Sequence, residues 1–154
     1  MSVFGIERLA KDEGGVSDYF QGKTYSKRHR GKSAGVIVAE VMIYGYTVLI
    51  RFGEGRRYEM VIEKDAQFFR LHCKAGRYEN GVVKFNTCSV HWWAKTKRKY
   101  TREGIDYFAV YCEHTGKVYL VPVEDVGTDQ GYLRVEPTAN NQAKGVRWAK
   151  DYEL

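Results

Sequence analysis

His72 and Lys74 stand two positions apart in a run, Gln67 to Lys74, that reads as a strand. Side chains alternate across a strand, so His72 and Lys74 project from one face with Arg70 beside them, while Phe69, Leu71 and Cys73 take the other. The preceding run, Arg57 to Glu63, reads as a partner strand, and the polar Glu63-Lys64-Asp65-Ala66 as the turn of a hairpin. Tyr58, Met60 and Ile62 share one of its faces, which puts Glu59 on the opposite one with Arg57 and Val61. An acid, an imidazole and an amine are thereby expected to converge. Such a trio suits phosphodiester hydrolysis: a carboxylate holds a hard divalent ion that activates water, and a lysine orients the nucleophile or stabilises the phosphorane. From spacing alone, a solvated sheet face with the same charges is the alternative.

The elements that must position this trio are read from pattern and punctuation. Ser33 is a plausible N-cap for a helix to about Tyr44, with Val36, Ile37, Val41, Met42 and Ile43 on its buried sides and Gly45 at its end. Tyr46 to Phe52 reads as a strand, as do Val82 to Thr87, Ile105 to Cys112, Lys117 to Val123 and Leu133 to Glu136. The polar tail from Asn140 has Val146, Trp148, Ala149 and Tyr152 as anchors. Near the start, Val3, Ile6, Leu9 and Ala10 predict a short helix over Ser2 to Lys11, followed by an exposed basic arm over Gly22 to Lys32. The expected architecture is α+β, a central mixed sheet flanked by helices, with residues 1–32 as helix and arm and 33–154 as the main domain.

A chain of 154 residues has the length of one domain. The absence of a long apolar run or a signal-like start predicts neither a membrane span nor secretion. Cys73, Cys88 and Cys112 are odd in number and lack CxxC spacing, as expected of core thiols in the reducing cytoplasm. Lys and Arg number 25 against 19 Asp and Glu, a net charge of +6 that points to a polyanionic partner. Lys27, Arg28, Arg30 and Lys32 in the arm, and Lys95, Lys97, Arg98, Lys99 and Arg102 further on, would grip phosphates. Arg77 and Lys84 follow the His72 strand closely enough to do the same. Trp92 and Trp93 read as core or interface residues, or as rings that stack on bases. Asp106 reads as a structural partner for an arginine, and His29 and His114 as solvated.

The string Arg51-Phe52-Gly53-Glu54-Gly55, Arg57-Tyr58-Glu59-Met60-Val61 and Phe69-Arg70-Leu71-His72-Cys73-Lys74 resembles the PD-(D/E)XK endonucleases of the group I intron homing type. The resemblance continues through Gly81 to Cys88, Ile105 to Tyr111, Val118 to Val123, Asn140-Asn141-Gln142 and Arg147-Trp148-Ala149, covering roughly Ser33 to Leu154. It implies a restriction-endonuclease-like core and metal-dependent, sequence-directed cleavage of double-stranded DNA. Glu59 then stands where the family has its metal-binding aspartate, His72 where it has glutamine or glutamate, and Lys74 at the lysine. Ala34 stands where the first-helix glutamate belongs, and Glu40 falls on another face of that helix. The implied cofactor is Mg²⁺ held by Glu59, with His72 acting as a base or favouring a softer ion such as Mn²⁺. A homo-oligomer is implied as well, since two strands need two sites, with Trp148 and Tyr152 as candidate contacts. The alternative is a DNA-binding relative of the same fold that has lost cleavage.

Overall fold

The computed structural model describes residues 18–53, 57–91, 94–140, 142 and 144–154, without the side chains of residues 18–30 and His91. The expected helix over Ser2 to Lys11, and Trp92 and Trp93, lie outside the described residues. Helix α1, Asp18–Ile43, runs unbroken through Lys32 and Ser33, where an arm was expected to give way to a helix. The arm has no apolar periodicity, but its Lys and Arg residues lose little rotamer freedom in a helix. Absence of a buried stripe is not absence of helical propensity.

The helix closes on Gly45, at φ +83°, with Gly45 N–H donating to the Met42 carbonyl and Tyr46 N–H to that of Val41, both at 3.0 Å. These are the two bonds of a Schellman cap, which needs the left-handed residue that glycine supplies. The buried stripe is narrower than expected. Ser33, Ile37 and Val41, four residues apart, face the sheet, whereas Met42 and Ile43 are 58% and 75% exposed.

The strands are β1 (Thr47–Ile50), β2 (Met60–Lys64), β3 (Gln67–Glu79), β4 (Val82–Asn86), β5 (Cys88–His91), β6 (Thr96–Lys99), β7 (Tyr107–Cys112), β8 (Lys117–Pro122) and β9 (Gln130–Arg134). Seven form one sheet, while β5 and β6 make a separate two-stranded ribbon that the sequence did not announce. β3 is the long central strand. It pairs antiparallel with β2, parallel with β7 and antiparallel with β4, so the sheet is mixed but largely antiparallel. The β3–β4 turn is Asn80-Gly81, both at positive φ (51° and 75°), the type I′ geometry that this dipeptide favours.

Each sheet face has its own core. α1 lays Ile37 and Val41 on Met60, Ile62, Leu71, Cys73, Ala109 and Val118. The opposite face carries Val83, Phe85, Phe108, Val110, Tyr119, Val121 and Leu133. Among the described residues no second α-helix covers it, which corrects the expectation of flanking helices. Ile105, Val123, Ala149 and Tyr152 close it from loops and the tail. The tail is held by backbone bonds from Leu120 N–H to Tyr152 O (2.8 Å) and from Leu154 N–H to Val118 O (3.0 Å). Tyr152 packs, partly buried, against this core, its hydroxyl 3.1 Å from Asp125 Oδ2.

Candidate active site

Residues of a strand present N–H and C=O to one edge together, and neighbouring residues use opposite edges. Glu59 N–H donates to Leu71 O at 2.8 Å, so the odd residues of β3 face β2. β2 pairs with β3 only as far as Leu71, and β4 joins at Arg77. Between them a notch opens along the edge of β3, at Cys73 and Ala75. Glu59, one residue before β2, turns its side chain into this notch, where Oε2 accepts the Cys73 N–H at 3.1 Å. Its carboxylate thus occupies the place of the next backbone partner, and the Cys73 carbonyl points to the same edge.

His72 and Lys74 rise from the neighbouring sheet face, as strand alternation predicts. His72 Nδ1 lies 3.8 Å from Glu59 Oε1, while the side chains are 14% and 40% exposed respectively. Only the carboxylate is well open to solvent. Lys74 Nζ sits over the rings of Tyr100 (5.0 Å) and Phe108 (6.0 Å), which confine its head against an aromatic wall. Arg70, expected beside them, is drawn away. It forms a bidentate pair with Asp106, Nε to Oδ2 at 3.0 Å and Nη2 to Oδ1 at 2.9 Å, and donates to the Glu103 and Arg102 carbonyls. Asp106 is thus the arginine partner that its sequence setting indicated.

Tyr100 is the residue that sequence reasoning missed. Its hydroxyl is 2.9 Å from His72 Nε2, and the two rings lie 4.5 Å apart at 32°. Burial lifts its phenol above the ordinary range, which keeps it protonated. The only sequence signal was an aromatic residue closing the basic run Lys97-Arg98-Lys99. Cys73, between His72 and Lys74, turns its thiol into the α1 core; burial first, and the Glu59 charge second, push it up, so it stays a neutral thiol. Cys73 and Cys112 are the buried thiols expected, but Cys88 is only partly buried and lines the cleft.

The notch opens into a cleft of about 1080 Å³, and Lys32, Arg77 and Lys97 stand on its wall with Glu59, His72 and Lys74. Lys32 pairs with Glu113 at 2.6 Å and Lys97 with Asp129 at 3.3 Å. Lys95, Arg98 and Lys99 are exposed at the β5–β6 ribbon and its turn. Lys84 and Arg102 are off the cleft wall: Lys84 reaches Glu79 across the hairpin and Arg102 pairs with Glu124, each at 2.8 Å. Lys27, Arg28 and Arg30 belong to α1, their side chains outside the described set, as is that of His29. His114 is exposed and stacks on Tyr78 at 4.0 Å.

Residues 25–154 match the PD-(D/E)XK endonuclease family over most of the chain. The chain belongs to that family. Among curated proteins no match was found. Among solved structures, the bacterial homing endonuclease I-Ssp6803I is similar, with a TM-score of 0.65 and 16% identity over 82% of this chain and 87% of that one. At that identity the likeness is one of fold. PD-(D/E)XK nucleases typically use a divalent metal, and the donors here can be tested against one. Among the described residues no three His, Cys, Asp or Glu side chains gather to cage an ion. The donors at the notch are oxygens: the Glu59 carboxylate and, on the same edge, the Cys73 carbonyl. Mg²⁺ is commonly held by one or two carboxylates, its remaining positions filled by water and substrate phosphate, and the notch fits that mode.

The Arg70–Asp106 pair ties β3 to the loop that carries Tyr100. The Arg70 side chain holds the Asp106 carboxyl below the usual carboxylate range. A depressed folded-state pKa contributes stability that is present above the unfolded value and lost as pH falls through the folded one. Asp106→Asn is expected to cost about 1.5–3 kcal/mol near neutrality, the range for bonds to charged groups. The gap from wild type should close below about pH 4, where carboxyls ordinarily titrate. Urea unfolding across the acid range checks both the size and the sign.

Proposed function

We propose that the chain is a metal-dependent, sequence-directed endonuclease of the homing type that hydrolyses phosphodiesters in double-stranded DNA. What carries the reading is Glu59 lying in the notch of β3 while His72 and Lys74 rise beside it, in a cleft with basic residues on its wall. Glu59, the more open of the two polar groups facing each other, is the residue to hold Mg²⁺. A bound Mg²⁺ supplies activation of water and offsets charge on the phosphate. Lys74, its head backed by Tyr100 and Phe108, donates to a phosphate oxygen and stabilises the added charge of the transition state. Arg77, Lys32 and Lys97 position the backbone, and Lys95, Arg98 and Lys99 extend the grip along the ribbon. Cutting both strands takes two such sites, hence a homo-oligomer.

A second reading, DNA binding without cleavage, is favoured by one observation, that the described residues bring one carboxylate, Glu59, into the notch. Supercoiled plasmid carrying diverse sites separates the two when incubated with Mg²⁺, with Mn²⁺ and with EDTA, for the wild type and for Lys74→Ala. Metal-dependent cutting that is lost in Lys74→Ala supports the endonuclease. An intact plasmid library that the protein nonetheless retards in a gel supports the binder.

A further inference from the structure

Three side chains on the cleft wall form a chain of contacts: the Tyr100 hydroxyl to His72 Nε2, and His72 Nδ1 toward Glu59. Each link has a direction. An imidazole with one N–H places it on the nitrogen whose neighbour is the better acceptor. Nδ1 faces a carboxylate oxygen, an acceptor only, whereas Nε2 faces a hydroxyl, which can donate. The Tyr100 hydroxyl, 2.9 Å from Nε2, has its hydrogen to give to that nitrogen. Phe108 stands at the edge of the imidazole, centroids 6.5 Å apart at 77°, and Tyr100 covers its face, so the ring is held in rotation as well.

We infer that Tyr100 is a positioning residue that fixes His72 as its Nδ1–H tautomer, with that N–H turned toward Glu59. His72 then acts neither as a base nor as a ligand for a soft ion through Nδ1, the roles its residue type invites. It steadies the Glu59 carboxylate, and an amide N–H at the same position does the same. The tautomer stands independently of the proposed cleavage, while its effect on rate rests on that reading.

Long-range proton–nitrogen NMR of the ¹⁵N-labelled full chain in alkaline solution reads the tautomer directly, with His72→Gln assigning the signals. The expected result is a protonated Nδ1 and a bare, hydrogen-bonded Nε2 at His72. Tyr100→Phe, which keeps the ring over His72 and beneath Lys74, is expected to move His72 toward the mixture in free histidine, where Nε2–H dominates. Nε2–H in the wild type, or an unchanged Nδ1–H in Tyr100→Phe, overturns the inference whether or not the protein cuts DNA. In a cleavage assay, Tyr100→Phe is expected to lower kcat about five- to tenfold, the worth of one hydrogen bond, with KM unmoved. His72→Gln is expected to retain cleavage and His72→Ala to lose it. If His72→Gln falls as far as His72→Ala while the NMR pattern holds, the tautomer is structural and the positioning role is overturned.

Discussion

Glu59→Gln is expected to lower DNA cleavage on the order of a thousandfold while duplex binding holds or tightens. The substitution is informative because it separates the two things that this side chain does. As a backbone partner, Glu59 needs only an oxygen to accept the Cys73 N–H, and the glutamine amide oxygen supplies one. The end of β2 and the notch should therefore survive, with unfolding free energy within about 1 kcal/mol of wild type. As an ion holder, however, the residue needs its charge, because no other pair of acidic or histidine side chains among the described residues gathers with it. Removing a negative charge from a cleft bordered by Lys32, Arg77 and Lys97 also lessens repulsion of the phosphate backbone. Single-turnover cleavage, gel retardation and urea unfolding of the same preparation check the three parts. Cleavage at the wild-type rate would sink the assignment of Glu59.

The convergence of Glu59, His72 and Lys74 was legible in the sequence because the period of a strand is short and local. Once Gln67 to Lys74 is a strand joined to the one before it by a tight turn, which side chains share a face follows without knowledge of the rest. That turn is Asp65-Ala66, shorter than the expected Glu63 to Ala66, because Glu63 and Lys64 pair within β2. The resemblance carried the same three residues. The notch was not legible. It arises because two different strands, β2 and β4, share one edge of β3 and leave a gap between them, and pairing limits are tertiary facts.

The misses have a common cause. A run of charged residues carries no burial signal, so its pattern suggests an exposed arm over Gly22 to Lys32 and no element over Thr96–Lys99, while the first is helix and the second strand. With the ribbon unseen, Tyr100 has no direction in the sequence and Arg102 groups with Lys97, although Lys97 stands on the cleft wall and Arg102 pairs with Glu124 away from it. Exposed Met42 and Ile43 show the opposite failure, apolar residues at the end of a helix that never meet the sheet.

Phe108→Ala is expected to cost about 3–5 kcal/mol of stability and to collapse the wall behind the site. The ring is 1% exposed in the core opposite α1, so its removal leaves a cavity that few neighbours can fill. It meets Phe85 at 5.9 Å, Tyr100 at 5.5 Å and His72 at 6.5 Å between centroids, and Lys74 Nζ lies 6.0 Å above it. Core and site are therefore one structure here: β7 runs parallel to β3 with Phe108 opposite His72, and the sheet face that buries the ring also carries the polar groups. Phe108→Leu tests the coupling without emptying the space. It should lose less stability than the alanine variant and still lower cleavage more than DNA binding, because Tyr100 and Lys74 lose the ring they rest on. Denaturant midpoints rank the two variants, and the ratio of cleavage to binding tells packing loss from site loss. If Phe108→Leu cuts as fast as wild type, the aromatic wall supports the fold alone and Lys74 is aimed by other contacts.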